Sequence, residues 1–168
     1  MTVTDRDLGM SRILRDLTRT DAAEVYAGIR QEKGAQIHDD ESEETIAGIA
    51  TVNEFGSPER GIPERSFLRA TIDLEQDRLQ KTLATGMGEV FEGKRDIPGA
   101  LALVGLHTVR AVQVRIARGI EPENALATIA AKGSSKPLID TGRLRQSIEY
   151  EVRVKGSEQE VGTSEEAA

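Results

Sequence analysis

Two apolar stripes of helical period run almost back to back through the middle of this chain, and they limit its fold more than any other feature. The first extends from Ser66 towards Glu92, where Leu68, Ile72, Leu79, Leu83, Met87 and Phe91 recur at helical spacing. Such a stripe describes a helix with one buried side. A helix of ~25 residues spans ~37 Å, which is long for a small domain. The second stripe holds Leu101, Val104, Thr108, Val112 and Ile116. Its ends are marked. Asp96 is placed to cap it, Pro98 falls in its first turn, and Gly119 stops it. Arg115 and Arg118 lie near its C-terminus, the negative end of the helix dipole.

The flanking segments alternate instead. In AEVYAGIR (23–30), Val25, Ala27 and Ile29 point one way, and Glu24, Tyr26 and Arg30 the other. In SIEYEVRVK (147–155), Ile148, Tyr150, Val152 and Val154 share one face, with Glu149, Glu151, Arg153 and Lys155 opposite. Period-2 alternation predicts half-buried strands. GSEQ then turns, and EVGT starts a return strand. Between the first strand and the long helices, QEKGAQIHDDESEE reads as a loop or a hairpin return. SEETIAGIATVNEFG reads as a helix capped by Ser42, with Ile46, Ile49, Ala50 and Asn53 on one face and Gly56 as its stop. EPENALATIAAKG predicts a third, short helix. With strands near both ends and helices between them, the expected class is α+β: a small antiparallel sheet with two long helices and shorter helices packed on one face. The expected organisation is a flexible arm over 1–21, one domain over 22–156, and a short return strand with an acidic tail over 157–168.

Composition narrows the chemistry. Apolar residues make up 38% and charged residues 30% of 168 positions, aromatic residues only 3%, and the net charge is −7. The core must therefore be aliphatic, and an acidic chain is a poor free-standing nucleic-acid binder. The absence of cysteine excludes disulfides and thiolate chemistry. No run approaches the ~18 apolar residues expected of a membrane span. The segment MTVTDRDLGMSR carries two Asp and no apolar centre, so no signal peptide is expected there.

A search for catalysis finds little. His38 with Asp39, Asp40, Glu41, Glu43 and Glu44 resembles a metal loop only in composition, because its spacing fits no standard site. His107 has no acidic neighbour one helical turn away and reads as a helix-surface or interface residue. Arg110, Arg115 and Arg118 are able to contact phosphate, although a solvated or subunit-contacting helix face explains them as well. Gly86 and Gly88 interrupt a helix and read as points of close approach or bending. The expected catalytic, cofactor and metal residues are therefore none.

The most specific stretches are connectors. In GIPERSFLR (61–69), Pro63 fixes the direction of the chain and Phe67 and Leu68 anchor it. Arg65 and Arg69 are forks for carboxylates or carbonyls. In KPLIDTGRLRQSI (136–148), Pro137 holds Lys136 extended, Leu138 and Ile139 insert into the core, and Asp140 or Thr141 caps the next turn. Leu144 and Ile148 form an i,i+4 pair leading into the strand.

Three stretches taken in order, VNEFG (52–56), IPERSFLR (62–69) and KPLIDTGRLRQSI (136–148), resemble the tail-completion and head–tail joining proteins of tailed bacteriophages. The residues carrying the resemblance are Glu54, Phe55, Gly56, Ile62, Pro63, Arg65, Phe67, Leu68 and Arg69. Pro137, Leu138, Asp140, Thr141, Gly142, Leu144, Ser147 and Ile148 complete the set. Ser66 stands where a Pro is common. The resemblance covers roughly residues 45–155. It implies a structural virion protein of the neck, without catalysis or cofactor, assembled in the bacterial host cytoplasm. It implies a homo-oligomeric ring, a hexamer before a dodecamer, between portal or adaptor and the tail tube or terminator proteins. DNA would pass through an acidic lumen without sequence-specific binding, and no membrane would be involved. Tail-terminator and head-closure proteins at the same junction remain alternatives. So do a small metal-dependent hydrolase and a nucleic-acid module using Arg110, Arg115 and Arg118.

Overall fold

The computed structural model describes residues 23–37, 44–123 and 142–154, the backbone of 160–162, and the single residues Ser11 and Leu138. Strand β1 (Ala23–Ile29) is followed by a single helical turn, α1 (Gln31–Gly34), and by α2 (Ile46–Phe55). A 3₁₀ turn (Pro58–Arg60) leads to the long pair α3 (Arg69–Phe91) and α4 (Ile97–Arg118). A short helix α5 (Arg143–Gln146) then feeds β2 (Ile148–Val154) and β3 (Glu160–Gly162). The sheet is three-stranded and antiparallel in the order β1-β2-β3, with Ala27 opposite Tyr150 and Glu151 opposite Val161. The α+β class and the return strand are as the sequence predicts.

Helix α4 is the centre of the molecule. Its start is capped as expected, with the Asp96 carboxylate accepting from the Gly99 amide at 2.9 Å. Val109, Val112 and Ile116 are fully buried against Ile148 and Val152 of β2. Contrary to the sequence reading, α4 is long and apolar enough to cross a membrane on length and composition. Here its apolar side packs on the sheet and on α3, as the core helix of a folded domain does.

Other local expectations shift for physical reasons. Helix α2 is capped by Thr45, not Ser42: Thr45 pairs with Ile37 in an isolated bridge, is held extended, and accepts from Gly48 N at 3.1 Å. Residues 31–34 form a helical turn where a loop or hairpin return was expected, closed by Gly34 N donating to Arg30 O at 2.7 Å. Helix α3 begins at Arg69 rather than Ser66. Glu149 and Glu151, expected to face water, are 5% and 6% exposed. Cations cover them: Lys33 lies 2.9 Å from Glu149, and Arg153 donates to Glu151 at 2.8 Å. The short helix expected over 121–133 lies beyond Glu123, outside the described residues.

The packed side of α3 is a correction of more consequence. Thr71, Gly86 and Val90 are its buried residues, whereas Ile72, Leu83 and Phe91 of the predicted stripe are 40%, 38% and 48% exposed. The buried positions lie one residue before Ile72, Met87 and Phe91, about 100° around the helix, while Leu68 and Met87 of the stripe still pack partly buried against the core. Gly86 explains the choice. A Cβ there would stand 3.0 Å from the Ala100 Cβ, so the helices meet at their smallest residues. Nothing lies within 4 Å of a Cβ built on Gly88. Gly88→Ala is therefore expected to stabilise the protein by about 0.5–1 kcal/mol, by restricting the unfolded chain and favouring helix. Gly86→Ala should lower stability, and thermal unfolding of the two variants reads the contrast directly.

Candidate functional site

The first two of the three stretches, VNEFG and IPERSFLR, converge on one carboxylate. Glu54, in the last turn of α2, is 5% exposed. Its Oε1 accepts from Ser66 Oγ at 2.8 Å, Arg69 N at 3.0 Å and Arg69 Nε at 3.1 Å. Its Oε2 accepts from the Phe67 and Leu68 amides, both at 2.9 Å. The first amides of a helix have no partner within it, so Glu54 caps α3 from another helix and places a negative charge at the positive end of its dipole. Burial alone would raise the carboxyl pKa. The Leu68 and Arg69 amides, the Ser66 hydroxyl and the Phe67 amide outweigh burial and hold it below the ordinary carboxylate value. Ser66, the departure from the phage pattern, is used twice: its hydroxyl also accepts from Ala70 N at 3.1 Å.

Around this carboxylate the chain closes tightly. Asn53 O accepts from Arg65 N at 2.7 Å, and Ser57 and Ile62 exchange backbone hydrogen bonds at 2.8 and 2.9 Å. Gly56 turns the chain with a φ of 73°, and a Cβ there would come within 2.9 Å of Glu64 N. Only glycine meets both demands. Gly56→Ala is expected to cost about 2 kcal/mol, from left-handed backbone and the clash together, as a fall in the denaturant midpoint.

The predicted residues of the first two stretches all have a location. Phe67 is 2% exposed in the core, beside Ile46 and Val112. Arg65 is 6% exposed, and its fork donates to Pro122 O at 2.7 Å and Glu123 O at 3.0 Å, tying the connector to the chain beyond α4. Arg65→Ala would leave two carbonyls without their donor, and a loss of about 2–3 kcal/mol is expected in equilibrium unfolding. Arg69 also donates to Glu54 O at 3.0 Å and Glu64 Oε1 at 2.8 Å. Phe55, by contrast, is 60% exposed, with the Arg69 guanidinium over its ring at 4.7 Å. Pro63 is exposed.

Of the third stretch, Lys136, Pro137, Ile139, Asp140 and Thr141 lie outside the described residues. Leu138 packs against the core with a φ of 65°, and Gly142 precedes α5 with a φ of 75°. Among the described residues no side chain caps α5, and the cap expected from Asp140 or Thr141 lies outside them. Leu144 and Ile148 are 1% and 0% exposed in the same cluster as Phe67. The second and third stretches thus share one core, and the first is joined to the second by direct hydrogen bonds.

A second feature lies on the far side of α4. A concavity of about 620 Å³ between α3 and α4 gathers Arg78, Arg110, Arg115 and Arg118 around Leu74, Leu103, Leu106 and Val114. The sequence missed the neighbours of His107. Its Nε2 is 3.4 Å from Glu75 Oε2, and its Nδ1 is 3.2 Å from Thr82 Oγ1, both on α3. The Glu75 carboxyl is raised by burial, but hydrogen bonds from His107 and Arg78 lower it overall. No sequence interval announces this meeting, because it depends on how two helices are set side by side. Arg115 turns back to donate to Ser66 O at 3.3 Å, linking the groove to the Glu54 junction. Among the described residues no three His, Asp or Glu side chains are placed to hold a metal ion, and His38 to Glu43 lie outside them.

No protein-family model, curated protein or solved structure matches this chain.

Proposed function

We propose that this chain is a structural subunit of the neck of a tailed bacteriophage, joining head to tail in a ring through which DNA passes. The observation that carries the reading is how the connector residues are used. Glu54, Arg65 and Arg69, which bear the resemblance, spend their polar groups on hydrogen bonds that hold the backbone together. All five donors at Glu54 belong to residues 66–69 of GIPERSFLR. Arg65 spends its fork on backbone carbonyls. A carboxylate saturated by five donors is unsuited to proton transfer or metal binding, and well suited to fixing the angle between two helices. In a ring that angle repeats in every subunit, so an error in it would accumulate around the circle.

Two long helices with large apolar residues left outside, Leu74 at 70% and Phe91 at 48%, suit a subunit that completes its burial against neighbours. The test is the particle. Virions purified from cells that express a tagged copy are expected to contain the protein at the head–tail junction, visible by gold labelling. Virions that lack it overturn the reading. Label at the tail-proximal edge of the neck would instead favour the tail-terminator position.

A further inference from the structure

The two lips of the α3–α4 groove are complementary to each other. Leu74 on the α3 lip is 70% exposed, the highest value for a large apolar side chain among the described residues, and Val114 on the α4 lip is 42% exposed. Asp73 and Asp77 bracket Leu74 along α3, as Arg110 and Arg118 bracket Val114 along α4. Side chains three and four positions apart are neighbours on a helix surface, so each lip sets an apolar residue among charges of one sign. All four charged side chains are exposed, and none forms an ion pair with a described residue. The other two arginines of the groove are already engaged, Arg78 by Glu75 at 3.1 Å and Arg115 by Ser66 O.

The arrangement of the lips suits two-fold symmetry. A short connection joins α3 to α4 and Gly86 meets Ala100, so the two helices are antiparallel neighbours. A two-fold axis through the mouth of the groove lays the α3 lip of one copy along the α4 lip of a second, and the reverse. Across that contact the helices run parallel, so partners share a constant offset in number. Leu74 precedes Val114 by 40 positions and Asp77 precedes Arg118 by 41, which places both pairs in one register. Asp73 then stands about one turn from Arg110, a gap of about 4.5 Å that an arginine side chain spans.

We propose that two copies of this chain pair across the α3–α4 groove about a two-fold axis, with Leu74 of each against Val114 of the other and Asp73 and Asp77 against Arg110 and Arg118. The chain as a whole carries −7, but these two carboxylates and two guanidinium groups balance, so the surface attracts its own copy where the rest of the molecule repels it. The contact uses one patch on both copies and therefore closes at two chains. It goes beyond the ring reading and does not rest on it.

The test is the mass of the isolated chain in solution, followed by sedimentation over a dilution series. The expected species at the top of the series is a dimer, twice 18.3 kDa. Asp73→Lys with Asp77→Lys makes the patch wholly cationic, and Arg110→Glu with Arg118→Glu makes it wholly anionic. Each of these chains alone should dimerise at least about tenfold more weakly than the parent. Mixed in equal amounts they should dimerise again, one chain of each kind, because both halves of the contact are then complementary. A single chain carrying all four reversals should also recover the dimer. Unchanged thermal unfolding of each variant checks that it folds. A parent chain that stays monomeric throughout the series overturns the proposal, as do assemblies that grow beyond two chains. A dimer insensitive to either reversal, or reversed chains that stay apart when mixed, overturns it as well. So does a monomer that binds short duplex DNA through Arg110 and Arg118, which would assign the groove to phosphate.

Discussion

Glu54→Ala is expected to lower the stability of this protein by about 4 kcal/mol, and to reduce assembly of tailed particles in parallel. The substitution removes five hydrogen bonds to one carboxylate and leaves the Phe67, Leu68 and Arg69 amides without a partner at the start of α3. An unsatisfied buried donor costs about 1–3 kcal/mol, and loss of one member of a buried charged network about 3–5 kcal/mol. For a domain of this size the melting temperature should fall by roughly 8–16 °C. Glu54→Gln keeps the shape and two acceptor lone pairs, so its loss should be smaller. The same carboxylate predicts an acid limb. Its pKa is depressed in the folded protein, so its contribution is fully present above the ordinary carboxyl value of about 4.3 and is lost as pH falls through the folded value. Stability measured from pH 6 to pH 2 should therefore fall less steeply in Glu54→Gln than in the parent. Parallel acid limbs would show that Glu54 is not the group responsible.

Gly105→Ala should be the other severe single change, at about 3 kcal/mol. A Cβ on Gly105 would lie 2.6 Å from Cγ and Cδ2 of Tyr150 and 2.8 Å from its Cβ. These atoms are the root of the side chain, so rotating the ring tip does not relieve the clash. Either α4 must lift from β2 or Tyr150 must leave a site where it is 8% exposed. Overpacking of this kind costs about 1–3 kcal/mol and occasionally more. A double-mutant cycle checks the cause: Gly105→Ala placed on Tyr150→Ala is expected to add little further loss. Full additivity would mean that the two positions do not meet as described.

The sequence alone settled those features whose cause lies within a turn or two of chain. The period of the apolar residues marked two long helices, Asp96 and Gly119 marked the ends of α4, and Gly56 marked the end of α2. Alternation placed β1 and β2, and the order of these elements implied an α+β class. Tertiary structure decided the rest, because the causes lie in residues far apart along the chain. Gly86 against Ala100 chose which side of α3 is buried and left part of its stronger apolar stripe outside. The Glu54 side chain reaches amides 13 to 15 positions away, a relation that no local period encodes. Glu149 and Glu151 could be buried because Lys33 and Arg153 are brought to them. His107 meets Glu75 only because two helices lie side by side. A repeat along a chain specifies which side of an element is apolar. Whether that side is covered, and by what, depends on the close approach of a second element, and here single glycines and one carboxylate set that approach.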